Sequence, residues 1–241
     1  MGKKVIYSER IYSNKNEQRT KIYKYFLKED LFLVNSMFTK KMYSGIKKNI
    51  FFLSNKIPSI SYKYLFEPEK STSIAIISRL SEEKNLIPTL KNFVNNNVDL
   101  VFNLYFTSYD ESYKNDLLSF INKNNIVVKL NGKKRLEHIY SNNDIILHPS
   151  KFEGTSNVIL EAGYNQKPII MADIPQNTIL NFHDYSYYNT NELLIKKIED
   201  FKLKKSKWSQ IVNYNQNSVN TYIGADDWVN VEKFFTNLNE K

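Results

Sequence analysis

The rhythm of apolar and polar positions changes near residue 72. Beyond it, short apolar runs alternate with longer stretches of helical period. The runs are SIAIISR, VDLVFNLYF, IVVKL, DIILHPS and KPIIMA, and each reads as a strand. Between them NLIPTLKNFVNN, DESYKNDLLSFINKN, RLEHIYSN and SNVILEAGYN predict helices. Pro88 falls in the first turn of the first of these, where proline is tolerated, and Gly163 or Asn165 ends the last. Apolar strands alternating with helices predict a parallel sheet covered on both faces. This gives a Rossmann-like α/β unit over residues 72–185. Two further helices follow, NTNELLIKKIEDFK and the amphipathic DDWVNVEKFFTNLNE, with Trp228, Val231, Phe234, Phe235 and Leu238 as its apolar anchors.

Ahead of residue 72 the pattern is sparser. KKVIYSER, DLFLVNS and NIFFLSNKIP predict strands, the last stopped by Pro58. NEQRTKIYKYFL, with Tyr23, Phe26 and Leu27 on its apolar face, and MFTKKMYSGI, ended near Gly45, predict helices. SISYKYLFEPEKSTS has the composition of a linker. Two or three strands and two helices make only part of a second α/β domain. The expected organisation is therefore a partial domain over 1–70, a Rossmann-like domain over 71–190, and C-terminal helices over 191–241.

A chain of 241 residues with 41% hydrophobic content can bury one good core or two small ones. It has no apolar run of about 18 residues that could span a bilayer, and its start, MGKKVIYSER, lacks the apolar core of a signal peptide. A cytoplasmic address is the expectation. The absence of cysteine excludes disulfides and thiolate metal sites. The net charge of +9 is uneven: residues 1–70 carry 15 Lys and Arg against 6 Asp and Glu, and the rest of the chain carries 19 of each. Such a basic segment can meet nucleic acid, anionic lipid or a phosphorylated substrate, or simply be solvated. The aromatic residues fall in core-like runs rather than between lysines of a stripe, which argues against nucleic acid. No Gly-x-Gly-x-x-Gly follows a strand, which argues against a dinucleotide oxidoreductase.

In open parallel sheets ligands bind beyond the carboxyl ends of the strands. The residues there are Arg79 and Lys84 after the first strand, Asn131, Gly132, Lys133 and Lys134 after the third, and Ser150 to Ser156 after the fourth. Thr155 or Ser156 is placed to cap a helix starting near Asn157, and the unpaired amides of its first turn favour an anion. Gly154 permits close approach, and Arg79 and Lys84 add two cations. Glu161, deeper in the same helix among Val158, Ile159, Leu160 and Ala162, is a carboxylate in apolar company that needs donors such as the paired hydroxyls of a ribose. His138, His148 and His183 read as core or surface histidines.

The stretches ISRLSEEKNL and VKLNGKKRLEHIYSNNDIILHPSKFEGTSNVILEAGYNQKPIIMADIP resemble the donor-binding domain of retaining GT-B glycosyltransferases, the glycosyltransferase family 4 group. The resemblance rests on Arg79 and Lys84 spaced Arg-x4-Lys, on Glu153 and Glu161 spaced Glu-x7-Glu, and on Lys-Pro-Ile-Ile at Lys167 to Ile170. It implies sugar transfer with retention from a nucleotide-diphosphate sugar to a glycan or lipid-linked acceptor, in bacterial surface polysaccharide synthesis. It implies Arg79, Lys84 and Glu153 as catalytic residues and Asn131, Gly154, Thr155, Ser156, Asn157 and Glu161 as donor-binding residues. No metal or other cofactor is expected; the chain has no Asp-x-Asp and no histidine cluster. Ser78 replaces the usual glycine before the arginine, and YFTSYDESY replaces the usual glycine-rich turn. The glycine-rich acceptor loop and its histidine have no counterpart in residues 1–70. A non-catalytic nucleotide-sugar-binding module, or one half of a split or truncated transferase completed by a partner chain, is the alternative. Expected with it are exposed apolar surface on residues 1–70 and a C-terminal helix without its usual seat. The basic first segment suits peripheral contact with an anionic membrane surface, at the inner face.

Overall fold

The computed structural model describes residues 6–9, 31–45, 49–62, 72–96, 100–124, 126–203 and 205–239. The expected helix with Tyr23, Phe26 and Leu27 lies outside them. Among the described residues there are two parallel sheets. The first has strands β1 (Ile6–Glu9), β2 (Leu31–Val34) and β3 (Ile50–Phe52) in that order, with helix α1 (Met37–Tyr43) between the last two. β3 is shorter than the run to Pro58 suggests; residues 53–62 run on without secondary structure.

The second sheet holds six strands: β4 (Thr72–Ile77), β5 (Leu100–Tyr105), β6 (Val128–Asn131), β7 (Ile145–His148), β8 (Ile169–Ala172) and β9 (Tyr187–Tyr188). Their spatial order is β6-β5-β4-β7-β8-β9, and every pair is parallel. The chain winds outward from β4 through β5 to β6, then returns to lay β7 on the other side of β4. Strand order reverses between β4 and β7, and in doubly wound sheets the ligand crevice opens at such a point.

Helices α2 (Leu86–Asn95), α3 (Glu111–Asn124) and α4 (Leu136–Ser141) follow β4, β5 and β6. Helices α5 (Asn157–Tyr164) and α6 (Pro175–Thr178) follow β7 and β8. Helices α7 (Asn191–Leu203), α8 (Lys205–Gly224) and α9 (Trp228–Asn239) close the chain. Successive strand residues point to opposite faces. Ile74, Ile76, Ile145, Leu147 and Ile170 therefore pack with α2 and α7, while Ala75, Ile146, Ile169 and Met171 pack with α5 and α8. The second of these cores continues into Phe32, Val34, Ile50 and Phe52 of the first sheet.

Within residues 31–45 and 49–62 the apolar side chains are mostly covered; Met42, 40% exposed, is the exception among large ones there. The rest of residues 1–70, where exposed apolar surface was also expected, lies outside the described side chains. The expectation about the C-terminal helix is corrected: it has a seat. Asp227, just ahead of α9, accepts from the Phe52 amide at 2.7 Å and from Lys40 Nζ at 2.5 Å, and its own amide donates to Phe52 O. Phe234 of α9 packs against Phe51, with ring centroids 6.1 Å apart. Of the expected anchors Val231 is buried, whereas Trp228 and Phe235 are exposed.

The later part of the connector from the first sheet is held by one residue at the end of α5. Asn165 Nδ2 donates to Pro58 O at 3.0 Å, its Oδ1 accepts from the Ile60 amide at 2.9 Å, and its carbonyl accepts from Tyr62 Oη at 3.1 Å. Asn165 also ends α5, one of the two endings expected from the sequence. Gly163 lies inside the helix instead. A Cβ there would come within 2.5 Å of Phe182 Cζ and 2.7 Å of Val219 Cγ2, so this glycine serves close packing of α8 rather than termination.

Candidate functional site

The elements around the reversal of strand order bring most of the sequence-derived residues together. β4 ends at Ile77, and the chain turns through Ser78, Arg79 and a short 3-10 turn over Glu82–Lys84. The Lys151 amide donates to Glu83 O at 2.9 Å, which ties the loop after β7 to that turn. Lys84 Nζ then meets Glu153 Oε1 at 2.7 Å. His148, the last residue of β7, brings Nε2 to 2.9 Å from the same oxygen. The geometry of that contact falls short of a well-aligned hydrogen bond, though the two atoms lie within hydrogen-bonding distance. All three side chains are largely buried. Burial pushes the Glu153 carboxyl up, but His148 and Lys84 beside it prevail and hold it at about 2.

Arg79 stands farther out, paired with Glu83 four residues on. It lines a cleft of about 210 Å³ with Lys133 and Lys134 from the end of β6, Tyr105 and Phe106 from the end of β5, and Val158 from the first turn of α5. The cleft is thus cationic at its rim and aromatic on one wall. Asn131 closes β6 just before it; its carbonyl accepts from the Phe106 amide at 3.2 Å and its side chain bonds back to Lys129 O.

The mouth of α5 differs from the expectation in one respect. Neither Thr155 nor Ser156 caps it with a side chain. Thr155 Oγ1 instead donates to Asn35 O at 2.7 Å, in the loop after β2, and lies 3.4 Å from Tyr222 Oη. Asn157 accepts from Asn55 at 2.6 Å, and Gly154 O accepts from Ser36 Oγ at 3.5 Å. The first segment therefore leans on the loop 154–157, and the first-turn amides receive no side-chain cap.

Glu161 follows Val158 by three residues, one turn on and on the same face. It is half-buried, and its carboxylate has no hydrogen-bond or ion-pair partner among the described residues. Burial alone pushes it up to about 7. The nearby Tyr140 hydroxyl is buried and also without a hydrogen bond. Lys167 is buried within the fold: its Nζ donates to Tyr140 O and Asn143 O at 2.7 and 2.5 Å, which secures the end of α4. Among the described residues no group of three or more His, Cys, Asp or Glu side chains is placed to hold a metal ion, and no helix is long and apolar enough to cross a membrane.

Residues 62–218 match the family described as Glycosyl transferases group 1. The chain belongs to that family. Among solved structures, this group 1 chain is similar to an S. aureus TarM mutant in complex with fondaparinux, alpha-GlcNAc-glycerol and UDP (TM-score 0.74, 15% identity, 94% of this chain and 50% of that one). It is similar to Anabaena Alr3699/HepE in complex with UDP-glucose (TM-score 0.74, 16% identity, 99% and 73%). It is also similar to the pneumococcal O-GlcNAc transferase GtfA in complex with UDP and GlcNAc (TM-score 0.63, 18% identity, 98% and 52%). The shared architecture is the GT-B type, with a mostly parallel sheet between helices. The chain spans half the length of TarM. A search of curated proteins finds no match.

Sequence reasoning read His148 as a core or surface histidine and gave it no role at the site. An apolar strand end hides its signal, since a histidine there reads equally well as core. Its position just before the loop that carries Glu153 is the one available hint.

Proposed function

We propose that the crevice binds a nucleotide-diphosphate sugar and that the chain moves the sugar, with retention, to a hydroxyl of a glycan or lipid-linked acceptor. Membership of glycosyltransferase family 4 and a role in bacterial surface polysaccharide synthesis belong to the same reading. The observation that carries it is Glu161, without a partner among the described residues and one turn beyond Val158 of the cationic cleft at the reversal of strand order. A half-buried carboxylate without donors is costly, and vicinal ribose hydroxyls would supply two.

In this reading Arg79 and Lys84 hold the diphosphate. The amides around Gly154, Thr155, Ser156 and Asn157 meet the diphosphate and sugar, and the main chain at Asn131 borders the base. The bond from the anomeric carbon to the β-phosphate oxygen breaks while the acceptor oxygen bonds on the same face, and the acceptor's hydroxyl proton passes to the departing phosphate. Negative charge grows on the departing phosphate, where Arg79, Lys84 and the positive end of α5 oppose it. Losing one such donor typically costs about 3–4 kcal/mol of barrier. Glu153, held ionised by Lys84 and His148, is suited to accept from hydroxyls of the transferred sugar. The basic excess of residues 1–70 suits an anionic membrane surface near the acceptor.

Calorimetric titration with UDP and GDP tests the reading. One of them should bind in the micromolar range, and Arg79→Ala and Glu161→Ala should each weaken it by about tenfold or more. Unchanged binding in both variants would remove the assigned site.

A further inference from the structure

A second cavity, of about 440 Å³, opens where Met37 at the start of α1 meets the C-terminal half of α8 and the turn after α6. Its volume lies within the range of sites that hold a small ligand. Among the described residues no Asp, Glu, Lys, Arg or His side chain lines it, so the described wall offers neutral polar groups rather than charges to a ligand. Asn181, Asn217, Ser218 and Thr221 present amides and hydroxyls, beside the ring of Tyr214, which is 45% exposed. Ser218 Oγ donates to Asn181 O at 2.7 Å and Thr221 Oγ1 to Asn217 O at 2.9 Å, so both hydroxyl oxygens keep lone pairs to accept. The Asn217 side-chain amide makes no hydrogen bond among the described residues, leaving it free to donate and accept.

The aromatic face is backed before any ligand arrives. His183 meets Tyr214 edge to face, with centroids 5.6 Å apart. His183 is itself fixed: its Nδ1 accepts from the Tyr185 amide at 3.1 Å and its amide donates to Asn215 Oδ1 at 2.9 Å. A supported ring lowers the ordering cost of binding. A flat apolar face flanked by neutral amides and hydroxyls suits a sugar ring, with C–H groups on one side and hydroxyls along its edge.

We propose that this cavity docks a neutral carbohydrate, the glycan arm of the acceptor. The acceptor role rests on the transferase reading above; the docking itself does not. The cavity is separate from the cationic cleft. Tyr222 walls it, with its hydroxyl 3.4 Å from Thr155 Oγ1 and accepting from the Met37 amide at 3.2 Å. A glycan held there is anchored behind the loop 154–157, and another part of the same molecule has to reach the crevice.

Saturation-transfer NMR with maltotriose, chitotriose and lactotriose, with and without saturating UDP, tests the proposal on the full chain. At least one of these neutral probes should bind. Tyr214→Ala and Asn217→Ala should each weaken that binding by about fivefold or more while UDP affinity and thermal midpoint stay unchanged. Asn217 is exposed, so its variant controls for loss of folding. If no probe binds, or if both variants bind as well as the unsubstituted chain, the inference is wrong. If UDP fails to bind while the oligosaccharide still docks, the crevice reading falls and the docking site stands.

Discussion

Glu153 and Glu161 are eight residues apart and hold opposite electrostatic positions. Glu153 is depressed to about 2 by His148 and Lys84 despite its burial, so its stabilising contribution is present above its ordinary value of 4.5 and is lost as pH falls through about 2. Glu161 is raised from 4.5 to about 7 by burial. Between those values the folded chain keeps a proton that the unfolded chain has released, so stability falls as pH rises through that window. Glu161→Gln should therefore stabilise the protein by about 1–2 kcal/mol at pH 8, allowing for its partial exposure, and change little at pH 4.5. Urea unfolding at the two pH values checks this, and the same variant should bind nucleotide more weakly. Lys84→Met leaves Glu153 buried with only His148 nearby and should cost about 2–4 kcal/mol by the same measurement. The spacing of the two glutamates is visible in the sequence, and so is the apolar company of Glu161. That one carboxylate is paired and the other is not was hidden, because the pairing depends on His148 and on a turn 69 residues upstream of Glu153.

At the scale of elements, β4 to β8 and their helices were readable because each is a continuous apolar run or a helical period bounded by polar residues. The two-residue β9 and four-residue α6 are too short to carry such a signal. Helix α8 was missed for a different reason. Its buried residues Trp208, Ile211, Asn215, Val219 and Tyr222 recur at helical spacing, but the central one is a polar asparagine. Asn215 is satisfied by Ser186 and the His183 amide, partners that only the fold supplies. Against this helix α5 packs through Gly163, where no side chain fits. Gly163→Ala should lower stability by about 1–3 kcal/mol through overpacking of the buried Phe182 and Val219, measured as a lower urea midpoint with an unchanged slope. A neutral result would show that both side chains yield freely.

Among the described residues, the two sheets are joined by Asn165 at the end of α5 and by Asp227 and Phe234 near the C-terminus. The sparse pattern of residues 1–70 suggested a fragment with bare apolar surface, because nothing in it announces that α9 returns to cover β3. Asp227 is central to that return. Asp227→Ala removes the acceptor of the Phe52 amide and of Lys40 and should cost about 1–3 kcal/mol. Hydrogen exchange should then rise in β3 and α9 while β4 and β7 stay protected. Uniform protection would mean that Val231 and Phe234 hold the helix by themselves.

The eight residues of α5 make a rod about 12 Å long. At one end stands the loop 154–157 of the crevice; at the other, Asn165 grips Pro58 and Ile60. Both ends of this rod are therefore tied to the first segment, the mouth through Asn35, Ser36 and Asn55 and the far end through Pro58 and Ile60, so the crevice loop and the joint between the sheets share one splint.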